Sequence, residues 1–281
     1  MDFKTGLLVF TLIVGCTALP TPEEDLSIFF EHVNVGARIV GGTQAAAGSH
    51  PHMVGLSSGL LIRNYLCGGS LIARRTILTA AHCIDAVFSF GSLTNSLRAT
   101  VGTNRWSSGG VDYRLSRNVT HPNYVSNRIK NDIGVLITTA EVGLTNLVQI
   151  VPVTYSFIPE GVRAVVAGWG RIRAGGAFSP TLLEITTNTI DGDDCVDRVA
   201  QASIDLNRVA PPVEPHIEVC VSHPSGQGFG TCNGDSGGPL IRADTREQFG
   251  IVSWGFPCAL GAPDMFVRVS AYQDWLQPII V

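Results

Sequence analysis

Short runs of β-branched and aliphatic residues, separated by turn residues, dominate the chain from residue 39 onward. Typical runs are Thr76–Thr79, residues 133–137 and residues 162–166. The chain also has 31 glycines and 15 prolines, which end strands and form turns. Runs of this length and spacing are typical of an all-β barrel or sandwich. No linker or repeat divides residues 39–281, so we predict one functional unit there.

Two stretches have a helical rather than a strand-like pattern. Residues 193–206 begin with acidic side chains, which favour the N-terminus of a helix. Residues 271–280 form the second stretch, where Trp275 and Leu276 are placed to dock on the body of the protein. We therefore predict two helices added to a β structure.

Residues 1–18 have the layout of a signal peptide. Lys4 precedes an apolar run over residues 7–15, and the small residues at 16–18 suit a cleavage site. A buried helix is the alternative interpretation. No later segment has the roughly 18 uninterrupted apolar residues that a membrane-spanning helix needs. We therefore expect a secreted, extracellular protein with no membrane partner.

Residues 19–38 differ from the rest of the chain. They contain four acidic residues, Glu23, Glu24, Asp25 and Glu31, and no cysteine. This segment is interpreted as a propeptide that precedes a functional unit at residues 39–281.

The cysteine content indicates disulfide bonds. The chain has seven cysteines, and six remain once Cys16 leaves with the signal peptide. An even number in an exported protein is typical of disulfides, and spacing alone leaves the pairing open. Zinc is the competing interpretation, but the chain has no Cys-x-x-Cys or His-x-x-x-His pair. The six are Cys67, Cys83, Cys195, Cys220, Cys232 and Cys258.

The charged residues of the chain argue against a nucleic-acid partner and suggest an alkaline environment. A formal net charge of -4 argues against nucleic acid as a partner. Of 19 basic residues, only Lys4 and Lys130 are lysines, and the others are arginines. Because Arg keeps its charge at a pH where Lys loses it, we hypothesise that the protein works in a strongly alkaline fluid. Codon bias or drift is the alternative explanation.

The string GDSGGP at residues 234–239 is the strongest chemical signal. Its glycines let the backbone turn sharply around Ser236 and let another molecule approach closely. Ser236 is therefore a candidate nucleophile, and the amides of Gly234 and Ser236 are candidates for an oxyanion hole. A glycine-rich turn with an incidental serine is the alternative.

A serine hydroxyl needs a base and a group that orients that base. His82 is the candidate base, because it follows a predicted strand and precedes Cys83 in the string LTAAHC. Asp132 directly precedes an apolar run, where a carboxylate must be hydrogen bonded to be tolerated. Each of these two signals is weak when taken alone.

Further short strings accompany these residues. They are IVGG at 39–42, CGGSLI at 67–72, TAAHC at 79–83, NDI at 131–133, GWG at 168–170, and GDSGGP followed by SWG at 253–255. With these strings and the order His, Asp, Ser, residues 39–281 resemble the chymotrypsin and trypsin family. The arginine bias and the short propeptide also resemble those of chymotrypsin-like digestive enzymes of insect larvae.

The resemblance implies a fold, an activity and a disulfide pattern. The fold is all-β, with two six-stranded antiparallel β-barrels and a short C-terminal helix. The activity is that of a serine endopeptidase, in which His82 takes the proton of Ser236 and Asp132 holds the imidazole. The disulfides implied are Cys67 with Cys83, Cys195 with Cys220, and Cys232 with Cys258.

The resemblance also gives the propeptide a role. Cleavage after Arg38 by a trypsin-like protease frees the α-amino group of Ile39, which in this family pairs with the aspartate before the nucleophile. Here that residue is Asp235. The chain is thus expected to be a zymogen.

The primary specificity pocket departs from the trypsin pattern. Gly230 stands where trypsins have an aspartate, which disfavours a strict preference for Lys and Arg. Gly255, with Ser253 and Trp254, leaves the pocket open to large side chains. Asp264 is unusual, and two interpretations remain. Either it turns away and the pocket has a chymotrypsin-like preference, which we favour, or it points inward and admits Arg and Lys as in collagenolytic relatives.

The remaining expectations concern partners. We expect protein or peptide substrates, an activating protease, proteinaceous inhibitors and a monomer. No cofactor or metal is expected, since residues 86–111 lack the acidic residues of a calcium loop. A digestive role is favoured, and an inactive homologue that only binds proteins is the rival from another class. Asn118 begins a glycosylation sequon whose occupancy stays open.

Overall fold

The computed structural model describes residues 41–89, 91–173, 175–256 and 258–281. The expected signal peptide, the propeptide, Arg38 and Ile39 lie outside the described residues. None of the described helices is long and apolar enough to span a membrane.

The N-terminal half of the described chain forms one curled antiparallel sheet of seven strands. The strands of this half, in chain order, are β2 (Met53–Ser58), β3 (Asn64–Ala73), β4 (Thr76–Thr79), β5 (Phe88–Ser89), β6 (Ser92–Leu93), β7 (Arg98–Val101), β8 (Val111–Tyr113), β9 (Leu115–Thr120) and β10 (Gly134–Thr138). The order in the sheet is β8-β7-β2-β3-β4-β10-β9. Strands β5 and β6 pair with each other in a separate small hairpin.

The C-terminal half forms a closed barrel of six antiparallel strands. Pairing of β12 with β13 closes the ring, and β1 (Thr43–Gln44) adds to β12 from outside. The strands of the ring are β11 (Arg163–Gly168), β12 (Leu183–Thr189), β13 (Glu218–Ser222), β14 (Pro239–Arg242), β15 (Gln248–Gly255) and β16 (Asp264–Arg268). The expected trypsin-like fold is confirmed, with one closed barrel and one curled half-barrel.

The burial of the strands explains why their apolar runs were easy to recognise in the sequence. All four residues of β4 and all five of β10 are buried, which matches their continuous apolar pattern. Strand β12 instead alternates buried and half-buried positions, so only one face packs inward. The two predicted runs at residues 133–137 and 162–166 correspond to β10 and β11, each shifted by one or two residues.

Three α-helices complete the described fold: α1 (Ala81–Asp85), α2 (Gly192–Asp205) and α3 (Gln273–Leu276). Helix α2 begins one residue before the predicted stretch, and Asp191 caps it by accepting from Asp193 N and Asp194 N. The predicted C-terminal helix is a short α-turn between two 3₁₀ turns. Its Leu276 is fully buried, and the ring of Trp275 lies 5.1 Å from that of His121.

Three disulfides connect the elements, and all three have the pairing that the resemblance implied. Cys67 pairs with Cys83, Cys195 with Cys220, and Cys232 with Cys258. The first joins β3 to α1, and the third joins the segment before Ser236 to the segment before β16. Both therefore restrain loops that approach the same cleft.

Candidate active site

The candidate triad lies between the two halves of the fold, on three different segments. His82 is on α1, Asp132 lies just before β10, and Ser236 lies just before β14. His82 and Ser236 line one cavity of about 420 Å³. Tyr65, Tyr124, Phe178 and Gly234 are among the other residues of its wall.

The geometry between His82 and Asp132 suits a base and its orienting acid. Nδ1 of His82 lies 2.8 Å from Oδ2 of Asp132, and the amide of His82 donates to Oδ1 at 2.9 Å. Asp132 is almost fully buried. Because a carboxylate only accepts, Nδ1 must carry the proton and Nε2 is left with its lone pair. That nitrogen is then able to accept a proton.

Ser253 is a further partner of Asp132, and sequence reasoning assigned it only to the pocket. Its hydroxyl donates to Asp132 Oδ2 at 2.6 Å from β15. In the sequence it is a small polar residue that follows the apolar run at residues 249–252, and that pattern alone did not reveal its partner. Asp132 therefore receives three hydrogen bonds, which stabilise its ionised form in a buried position.

Replacing Ser253 with alanine is expected to lower kcat/KM about tenfold, because Asp132 loses one hydrogen bond to a charged group and keeps two. The measurement is kcat/KM per active site, with active sites counted by a serine-directed phosphonylating reagent. Ser107→Ala, at an exposed serine, is the matched control. A fall in the titrated fraction with an unchanged rate per site would contradict this role.

The loop around Ser236 depends on glycine at two positions. Gly234 has φ +95°, and a Cβ there would lie 2.6 Å from the ring of Phe178. Gly237 has φ +77°, and a Cβ would lie 2.2 Å from Oγ1 of Thr79. The carbonyl of Ser236 accepts from Gly68 N at 2.8 Å, which ties the loop to β3. Within the described ranges, the amides of Gly234 and Ser236 donate to no other group and remain available to an oxyanion.

Asp235 turns away from this cleft into the interior. Its carboxylate is fully buried and accepts from Gly170 N at 2.8 Å and from Cys232 N at 3.0 Å. Burial raises the pKa of Asp235 to about 7, although these two hydrogen bonds act in the opposite direction. A Cβ at Gly168 or Gly170 would overlap the carboxylate, which explains both glycines of the GWG string.

The pocket beside Ser236 has Asp264 in its wall, together with Ser253, Trp254 and Gly255. The Asp264 carboxylate lies between two glycines. A Cβ at Gly230 would lie 2.8 Å from Oδ2, and one at Gly255 would lie 3.1 Å from Oδ1. Thr231 N donates to Oδ2 at 2.7 Å. In this structure the Asp264 carboxylate faces the pocket, where its glycine neighbours leave room for it, and this orientation favours the second of the two interpretations.

Asp264 has the electrostatics of a buried acid without a cation. Burial raises the pKa of Asp264 to about 7, and hydrogen bonds from Thr231 lower it in part. No ion pair among the described residues includes Asp264.

One group of potential metal ligands occurs within the described part of the chain, namely Cys67, His82 and Cys83. Both sulfurs belong to the Cys67–Cys83 disulfide. They therefore offer no thiolate for a metal, and the group does not fit an ion.

Comparison with known proteins agrees with this geometry. The trypsin family matches residues 39–276. The chain belongs to the trypsin family. It is 33% identical to chymotrypsin-2 of Vespa crabro over 240 residues, which cover 85% of this chain and 98% of that protein. It is 31% identical to a trypsin of Phaedon cochleariae over 96% of this chain and 98% of the relative, and 31% identical to trypsin-1 of Salmo salar over 96% of both.

The family membership identifies the protein as a serine-type endopeptidase with protein substrates. Sequence reasoning found the residues of the family motifs but did not identify several aromatic residues that line the cleft. Phe178 covers Gly234, and Arg171 lies over its ring at 4.6 Å. Tyr65, on β3, packs against Phe178 at 5.2 Å between ring centroids. These aromatic contacts join residues distant in sequence, so no local pattern signalled them.

Proposed function

We propose that this trypsin-family enzyme is a secreted digestive endopeptidase with Ser236 as nucleophile, His82 as general base and acid, and Asp132 as the orienting acid. The observation that carries the proposal is the buried Asp132 carboxylate bound to His82 Nδ1, with Ser236 in the same cavity. The buried Ser253 hydroxyl supports the same assignment.

The reaction follows from this arrangement in two halves. Nε2 of His82 takes the Ser236 proton while Oγ attacks the carbonyl carbon of the scissile bond. The resulting oxyanion accepts from the amides of Gly234 and Ser236. His82 then gives its proton to the leaving amine, which departs and leaves an acyl-serine. Water, deprotonated by His82, hydrolyses the ester and restores Ser236.

The precursor is proposed to have three parts, a signal peptide at 1–18, a propeptide at 19–38 and the peptidase domain at 39–281. Cleavage after Arg38 by a trypsin-like protease would free the Ile39 amine to pair with Asp235. Among the described residues, the side chain of the buried Asp235 accepts from two backbone amides and from no cation, which supports the need for such a partner. Secretion into an alkaline gut lumen agrees with the near absence of lysine.

The specificity proposed here has two components. Gly230 in place of the trypsin aspartate, together with Gly255, supports a chymotrypsin-like preference for large apolar and aromatic side chains. The Asp264 carboxylate adds acceptance of Arg and Lys when it is ionised. Since the acid is neutral below its pKa and charged above it, acceptance of basic residues should increase as the pH rises through about 7.

The ratio of kcat/KM for an Arg amide to that for a Phe amide is expected to rise roughly tenfold between about pH 6 and about pH 8. Both substrates use the same catalytic residues, so effects of pH on the chemical steps cancel in the ratio. In Asp264→Asn the ratio should not change with pH, and the Arg rate at pH 8 should fall by roughly 10- to 100-fold. Asp244→Asn, at an exposed acid, is the control. An unchanged Arg rate in Asp264→Asn would exclude this role.

Two measurements test the proposed function as a whole. After cleavage at Arg38, a phosphonylating reagent should label Ser236 stoichiometrically, and cleavage of a peptide library should then define the preference. A folded, cleaved protein that is neither labelled nor active would instead support the rival function of an inactive binding homologue.

A further inference from the structure

Lys130 is a buried cation two residues before Asp132, and it is the sole lysine among the described residues. It is 4% exposed. Its Nζ donates to Oε1 of Glu218 at 2.7 Å, and Glu218 is equally buried. The two residues are separated by 88 positions and come from opposite halves of the fold. This pair therefore bridges the two halves beside the candidate triad.

The same glutamate also holds the indole of Trp254. Trp254 Nε1 donates to Glu218 Oε1 at 2.8 Å, the oxygen that Lys130 also contacts. Oε2 accepts from Glu214 N at 2.7 Å, so both carboxylate oxygens are bound. The Lys130 ammonium lies 5.3 Å from the centroid of the indole, within cation–π range. Trp254 is thus held by a charge-assisted network and not by packing alone.

The backbone around Lys130 is strained in a way that directs it inward. Ile129 has φ 51° and Asn131 has φ 54°, both in the left-handed region that β-branched residues in particular avoid. Ile129 is buried in the cluster that contains Trp254, and Asn131 Oδ1 accepts from the Tyr272 hydroxyl at 3.1 Å. Such strain persists where surrounding contacts determine the conformation, and it often occurs near functional sites.

Two neighbouring cross-links join this segment to β15. Asp132 binds Ser253, and Lys130 reaches the adjacent Trp254 through Glu218. Ser253 and Trp254 both line the pocket beside Ser236. Because the Asp132–Ser253 bond does not involve Lys130, loss of the Lys130–Glu218 pair would loosen Trp254 while the orienting acid keeps its own link to β15.

We propose that Lys130 is a positioning residue that, through Glu218, sets the indole of Trp254 in the wall of the substrate cleft. Stability alone does not account for the pair, because a buried ion pair is often no more stabilising than apolar residues of similar size. The geometry of the Lys130–Glu218 pair instead fixes the position of Trp254 relative to the segment before β10. The inference rests on the proposed function of the cleft.

The test compares Lys130→Met/Glu218→Gln with wild type after activation. The double variant removes both charges but keeps an acceptor for Trp254 Nε1, so folding is preserved while the hold on the indole weakens. The matched control is Arg198→Met/Asp194→Asn, which removes an exposed ion pair in α2. Lys130→Met alone leaves a buried unpaired carboxylate and should unfold at a lower temperature than the double variant.

KM for Phe peptide amides should rise about tenfold in the double variant, with a smaller change in kcat. The burst with nitrophenyl acetate, which does not need the pocket wall, should stay within about twofold per titrated site. Wild-type KM in the double variant would overturn the proposal. A rise in KM together with comparable falls in kcat and in the burst would indicate a purely structural role. That result would also overturn the proposal. Failure of the proposed function is distinct, since wild type itself would then show no burst.

Discussion

Ser236→Ala is expected to lower kcat of the activated enzyme by about a millionfold, the loss typical when the nucleophile of a serine triad is removed. Ser236 is half-buried in a cavity shared with His82, so its hydroxyl can be deleted without creating a large core void. The carbonyl of Ser236 keeps its bond to Gly68 N in the variant, because that bond is made by the main chain. The fold should therefore survive the substitution.

The experiment measures peptide amide hydrolysis and thermal unfolding on the same preparation. Ser107→Ala, an exposed serine between β7 and β8, is the matched control and should retain wild-type activity. Ser236→Ala should also lose all labelling by a phosphonylating reagent. Residual activity within about a hundredfold of wild type would show that another residue is the nucleophile.

Arg38→Gln is expected to remain inactive after treatment with trypsin, whereas the wild-type precursor should gain activity by several orders of magnitude. The reason lies at Asp235, whose carboxylate is fully buried and has only amide donors from Gly170 and Cys232 among the described residues. A buried charge of this kind requires a cation, and the freed Ile39 amine is the proposed source. Without cleavage, the loop that carries Gly234 and Ser236 lacks that restraint.

Arg38→Lys is the matched control, because trypsin also cleaves after lysine and the same Ile39 amine is released. N-terminal sequencing should find Ile39 in the wild type and in Arg38→Lys but not in Arg38→Gln. Asp235→Asn should be cleaved normally and yet gain little activity. Full activity of uncleaved Arg38→Gln would refute the activation scheme.

Much of the fold was predictable because its signals are local. The buried strands β4 and β10 are continuous apolar runs, and α2 has acidic residues at its start. The C-terminal helix was less well defined, since Pro278 and the 3₁₀ turns around Gln273–Leu276 interrupt the regular α-helical repeat. The helix α1 that carries His82 was missed, because five residues are too few to show a helical period.

The candidate triad was predictable for a different reason. Ser236 lies in a short motif whose glycines the backbone itself requires, since Gly234 and Gly237 both have positive φ. These requirements act within a few residues and are therefore visible in the sequence. The link from Asp132 to Ser253 spans 121 positions and depends on how the two halves pack.

The sequence by itself determined the family and the six half-cystines, and it predicted Ser236 as the nucleophile, since each depends on residue types at short spacing. Tertiary structure alone decided two further properties. The inward direction of Asp264 depends on the space left by Gly230 and Gly255 on other segments. The burial of Lys130 against Glu218 depends on contact between the two halves. The direction of Asp264 and the burial of Lys130 both depend on which groups folding brings together and on how far it removes them from water. Short sequence patterns do not show either of these.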